Sequence, residues 1–143
     1  MSGLYGAIGK MSTRTSLTLP AQYIALEQIP PFIESVAQPA PCRQRTEISL
    51  AVHELCVNIV QHGYAGIAGE LILDATCYQH GLFLSIFDTA PNAYKNAERN
   101  VPNPLNLPES GWGLVILHRV MDDVCYARSS AGNAWHLIKL WDR

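Results

Sequence analysis

The sequence predicts an α+β two-layer sandwich formed by a single domain over residues 1–143. Three observations carry that expectation. Strand patterns come in clusters instead of alternating strictly with helices, which disfavours a doubly wound parallel sheet. The helical segments each carry an apolar stripe at three- and four-residue spacing, as a helix lying on a sheet requires. At 143 residues the chain is long enough to bury about two-thirds of its unfolded surface around one core.

Taken in order, "TSLTLPA" alternates Leu17 and Leu19 with Ser16 and Thr18 until Pro20 stops the pattern, which reads as a strand. A helical pattern follows from Ala21 to about Ala37 through Tyr23, Leu26, Ile29, Ile33 and Val36, with a kink or break expected at Pro30 and Pro31. A second helix is expected from about Thr46 to His62, with Thr46 as N-cap, Gly63 as the stop, and Ile48, Ala51, Val52, Leu55 and Ile59 as its buried stripe. "ELILDATCYQHGLFLSIFD" gives two strands around a tight turn at Gln79, His80 and Gly81. In the second of them Leu82, Leu84 and Ile86 oppose Phe83 and Phe87, which suits a central strand covered on both faces. Asp88 ends it.

Residues 89–110 hold four prolines and five asparagines without any period, and a loop of that length inside a compact domain is usually functional, such as a lid. "SGWGLVILHRVMD" then opens a helix at two glycines, with Leu114, Leu117 and Met121 on one face. Two closing strands, "VCYARSS" and "AWHLIKLW", flank the turn "AGN".

Composition removes several classes of function. A formal net charge of -2 with no Lys/Arg block lacks the electrostatic footprint of phosphate-backbone binding, so no direct nucleic-acid partner is expected. No run approaches the roughly 18 to 20 apolar residues that span a bilayer, and the opening residues do not read as a leader, so the expected location is cytoplasmic with no membrane partner. Cys42, Cys56, Cys77 and Cys125 form no C-x-x-C pair and read as small buried thiols, not metal ligands or disulfides.

Three features remain that suit chemistry. Glu54 and Asn58 stand one turn apart on one helix face, a carboxylate able to take a proton and an amide oxygen suited to Mg²⁺ already surrounded by phosphate oxygens. Gly111-Trp112-Gly113 opens a helix after the long loop, where glycines allow close backbone approach and free N–H groups favour phosphate. Asp88 ends a strand with a carboxylate able to accept from an exocyclic amine. Each also has a plainer reading as a helix-edge polar pair, a turn and a strand stop.

Read together, "ELCVNIVQHGY", "SIFDTAP" and "GWGLVILHRVMDDVCYARSSAGNAWHLIKL" resemble the ATP-binding domains of the GHKL superfamily, and most closely its stand-alone anti-sigma-factor serine/threonine kinases. The resemblance implies a two-layer Bergerat-type fold with a mixed, mostly antiparallel sheet and helices on one face. It makes Glu54 the general base, Asn58 the Mg²⁺ ligand and Asp88 the acceptor for the adenine amine, with Ala90, Gly111, Trp112, Gly113 and Leu114 in the nucleotide site. It implies ATP and Mg²⁺ as cofactors, a STAS-type antagonist as substrate, a sigma factor as a further partner, and a homodimer. His62 matches the histidine closing the first motif, without an assigned role. Two departures stand out: Ala90 replaces a glycine of the D-x-G-x pattern, and Asn133, Ala134, Trp135 and His136 occupy the region where many relatives place an adenine-holding threonine. The alternative reading is a partner-binding switch module with weak or lost ATP binding. The catalytic half of a sensor histidine kinase is disfavoured, because no helical hairpin with a phospho-acceptor histidine is read ahead of the domain.

Overall fold

The computed structural model describes residues 8–93 and 112–141. Five strands form one sheet in the order β1-β2-β3-β5-β4: β1 Met11–Pro20, β2 Glu70–Tyr78, β3 Gly81–Asp88, β4 Asp123–Ser129 and β5 Gly132–Leu140. All four pairings are antiparallel, so the sheet is simpler than the mixed one the resemblance implied. Three helices, α1 Ile29–Val36, α2 Cys42–Asn58 and α3 Trp112–Val120, complete the two-layer α+β architecture.

The proline pair acts where expected. A 3₁₀ turn over Tyr23–Gln28 gives way to α1, which opens at Ile29 with Pro30 and Pro31 next in its first turn. Proline costs little there, because the N–H it lacks would have no intrahelical partner. The second helix departs from expectation at both ends. It begins at Cys42, immediately after Pro41, and Thr46 lies inside it with Oγ1 donating to the Cys42 carbonyl at 3.2 Å. Arg45 braces this earlier start by donating to the carbonyls of Ala40 at 2.6 Å and Gln38 at 3.3 Å and to Glu34 Oε1 at 2.8 Å. Past Asn58 the helix widens into a π turn, Ile59–Tyr64, and the stop falls at Ala65, in the left-handed region with φ 49°, instead of at Gly63.

Ile48, Ala51, Val52, Leu55 and Ile59 are all buried, as the spacing predicts. They pack with Leu71, Leu73, Leu84, Ile86, Trp135 and Leu137 of the sheet and with Leu114 and Leu117 of α3 in one continuous core. The opposite sheet face is less covered than expected. Ile72 and Phe87 are exposed there, while Phe83 and Phe87 close over His136, the first stacked at 5.9 Å and the second edge-on at 5.8 Å. Of the four thiols only Cys56 and Cys77 are buried; Cys42, in the first turn of α2, and Cys125, on the edge strand β4, are exposed.

The β4–β5 hairpin turns at Gly132, whose φ of +129° is one that L side chains rarely adopt. A Cβ at that position would lie 2.0 Å from the Asp88 carbonyl oxygen, so glycine is what lets β5 close on the end of β3. Gly132→Ala is therefore expected to lower unfolding free energy by about 1–3 kcal/mol, read from the midpoint of a urea transition.

Candidate functional site

The π turn is the hinge of the site. Because Asn58 is the last α-helical residue of α2, the chain beyond it swings across the end of β3. There the side-chain amide of Asn92 donates to the His62 carbonyl at 3.1 Å and the Asn92 N–H donates to the Gly63 carbonyl at 3.3 Å. His62 thus contributes a main-chain acceptor, and its side chain is exposed. Tyr64 ties the same two segments: its hydroxyl accepts the Thr89 N–H at 2.9 Å and donates to the Glu70 carbonyl. Short π turns of this kind are frequent at functional sites.

Asp88 is buried at the end of β3. Its Oδ1 accepts from the Ala90 N–H at 2.9 Å and from Asn133 Nδ2 at 2.9 Å, whereas its Oδ2 is buried with no hydrogen-bond partner. Burial pushes the carboxyl above its ordinary value, against the lowering effects of Asn133, the Ala90 N–H and Arg128. The Cys56 thiol is pushed up as well, first by burial and then by the charge of Asp88.

Asn58 is buried with Nδ2 lacking a hydrogen-bond partner, and Glu54, one turn earlier on the same face, is half-buried. Buried polar atoms without partners each cost about 1–3 kcal/mol, and a polar ligand would satisfy them. An acceptor at Asp88 Oδ2 suits a base amine. An amide at Asn58 suits phosphate oxygens or a Mg²⁺ that they help to hold. No cluster of three or more His, Cys, Asp or Glu able to hold a metal occurs among the described residues, so a cation here would depend on ligands brought by a nucleotide. The residues present fit both groups.

Replacing the expected glycine by Ala90 leaves the turn intact. Ala65 is the sole non-glycine with positive φ among the described residues, so Ala90 carries no backbone strain of that kind. Its methyl is buried against Gly63, where an added Cβ would approach it to 3.1 Å. In the last strand, Asn133 is the residue that reaches Asp88; Trp135 lies in the core, and His136 points to the opposite sheet face with Nδ1 2.8 Å from Ser85 Oγ. Trp112 and Gly113 open α3, Leu114 is buried in the core, and Gly111 lies outside the described residues, as does the expected lid beyond residue 93. Sequence reasoning missed Arg128 and gave Tyr64 no role of its own. Neither carries a signal in its spacing, because both act through strand register and loop closure.

The histidine kinase-like ATPase domain family matches residues 19–139. A serine-protein kinase RsbW from Bacillus cereus (strain ATCC 10987 / NRS 248) is 33% identical over 85 residues, covering 54% of this chain and 53% of the relative. An RsbW from Bacillus thuringiensis (strain Al Hakam) is 32% identical over the same length. The match thus spans about half the length of these curated relatives. The crystal structure of the RsbU and RsbW domains of a Mycobacterium tuberculosis protein superposes with a TM-score of 0.66 at 18% identity, over 92% of this chain and 33% of that one, and so shares the fold. With the sheet order, the helix carrying Glu54 and Asn58 and the carboxylate closing β3 in place, this chain belongs to the histidine kinase-like ATPase domain family of the GHKL superfamily.

Proposed function

We propose that this protein is an ATP-dependent serine/threonine protein kinase that acts as a cytoplasmic anti-sigma factor in a partner-switching system and phosphorylates a STAS-type antagonist. The observation that carries the reading is the buried Asp88 carboxylate, one oxygen held by two donors and the other without a partner, together with the unpartnered amide of Asn58. Similarity to relatives named serine-protein kinase RsbW supports the reaction class and the kind of partner. The homodimer belongs to the same reading, and the exposed Ile72 and Phe87 offer apolar surface for it.

In this mechanism Asp88 Oδ2 accepts the exocyclic amine of the base, and Asn58 directs its amide toward the phosphates and their cation. Mg²⁺, when bound, would neutralise charge on the transferring phosphoryl group. Glu54 orients the incoming serine hydroxyl and takes its proton, and its half-buried position lets it meet a group arriving from solvent. The N-terminus of α3, opening at Trp112 and Gly113, presents N–H groups of the kind that favour phosphate. The alternative, a partner-binding switch with weak or lost ATP binding, draws on the missing glycine at position 90, where Ala90 has no positive-φ strain to weaken the turn.

Glu54→Gln is expected to keep Mg²⁺-ATP affinity while slowing transfer by about 10²–10⁴-fold, followed as label from ATP on a serine or threonine of a STAS-type antagonist. Equal transfer by this variant would take Glu54 out of the mechanism, and an unlabelled antagonist with wild-type protein would favour the non-catalytic switch. Asp88 adds a pH signature. With its folded pKa above the unfolded value near 3.8, the folded state holds the proton more tightly, so this contribution to stability is complete below that value and is lost as pH rises through the folded pKa. Asp88→Asn should therefore gain stability relative to wild type as pH is raised from about 4 to 7 in urea titrations, while losing ATP binding by calorimetry.

A further inference from the structure

Asp88, Asn133 and Arg128 form one cross-strand row on β3, β5 and β4. Asn133, buried in the middle, uses its whole side chain. Nδ2 donates to Asp88 Oδ1 at 2.9 Å and to the Asn92 carbonyl at 3.3 Å, while Oδ1 accepts from the Tyr126 hydroxyl and from Arg128 Nη1 at 3.1 Å. Turning this amide over would set its oxygen against the Asp88 carboxylate and its NH₂ against the guanidinium, replacing attraction by repulsion on both sides. Arg128 on one side and Asp88 on the other therefore fix which way Asn133 faces.

The same guanidinium grips the turn that follows Asp88. Nη1 donates to the Ala90 carbonyl at 3.2 Å and Nη2 to the Pro91 carbonyl at 2.7 Å. A planar guanidinium can hold several carbonyl and amide oxygens at once in fixed directions, which a lysine ammonium cannot reproduce. Fixing the turn and Asn133 together leaves Asp88 Oδ1 fully occupied by two donors and Oδ2 as the single open acceptor.

We propose that Arg128 is the positioning residue that sets base specificity: by latching the 88–91 turn and orienting Asn133 it keeps Asp88 Oδ2 aimed as an acceptor, selecting a 6-amino purine over a 6-oxo purine. The inference rests on the reading of Asp88 as the base contact. An oxo group placed at that oxygen would meet a second acceptor, whereas an amine donates to it. Arg128 touches no ligand in this scheme, and its effect reaches the base through Asn133 and the turn.

Two measurements on the full chain test it. Amide hydrogen exchange at Ala90, the donor to Asp88 Oδ1, is read without nucleotide for wild type, Arg128→Lys and Arg128→Met. Calorimetry then compares Mg²⁺-ATP with Mg²⁺-ITP, which differ in the 6-amino and 6-oxo groups. Exchange at Ala90 should quicken by about tenfold in Arg128→Met and less in Arg128→Lys, and the preference for ATP should shrink by about tenfold in Arg128→Met with partial retention in Arg128→Lys. Unchanged exchange and unchanged ATP:ITP preference in Arg128→Met would overturn the proposal. Quickened exchange with an intact preference would overturn the specificity role and leave Arg128 a structural brace. A wild-type chain that binds neither nucleotide would overturn the base-contact reading and the specificity role with it, and the exchange arm would still decide whether Arg128 holds the turn.

Discussion

The seating of α2 on the sheet governs the rest of the molecule. Ile48, Ala51, Val52, Leu55 and Ile59 recur at three- and four-residue intervals, so one rotation of the helix buries all of them and no other rotation does. That rotation also decides where the remaining residues go. Glu54 is carried to the half-buried rim, while Asn58 stays inside at the end of the helix. Hydrophobic packing, which has no direction of its own, thereby fixes the placement of the two polar groups that do.

The site has a cost in folded-state electrostatics. Asp88 is held at the end of the central strand with one oxygen lacking a partner, and burial disfavours its ionised form. Nearby donors offset part of this, namely the Ala90 N–H, Asn133 and, at longer range, Arg128. Such a carboxylate is poorly explained as a stabilising element, since a fully satisfied side chain would serve stability better. It fits the proposed role of a group kept for a donor that arrives from outside, in keeping with local rules being broken mainly where function requires it.

Much of this was legible in the sequence because it rests on periodicity. The alternation of Leu17 and Leu19, the stripe of α2 and the hairpin at Gln79 and His80 are all local patterns, and each produced its element. The helix ends were not legible in the same way. Thr46 has the chemistry of an N-cap, yet the Arg45 contacts to Ala40, Gln38 and Glu34 stabilise an earlier start. Gly63 has the chemistry of a stop, yet a π turn carries the helix past it until Ala65 takes the left-handed conformation. As candidates for the site, Glu54, Asn58 and Asp88 could be singled out from residue type and spacing. The polar row through Asn133 to Arg128 could not, because it exists only once β3, β5 and β4 are set in register. His136 illustrates the same limit: one residue of parity on a strand separates a place beside the carboxylate from a place among aromatic rings on the other face.

The contact between Gly63 and Ala90 has a consequence for how this sequence can change. The methyl at 90 is packed so closely that a Cβ at 63 would come within 3.1 Å of it, tighter than ordinary van der Waals contact. They are 27 residues apart in the chain but behave as a single steric choice. A glycine at 90 would open space beside an alanine at 63, so an exchange between the two positions conserves volume where either change alone leaves a gap or a tight contact. The departure at Ala90 thus belongs with its neighbour across the turn, a glycine in a different stretch of the sequence.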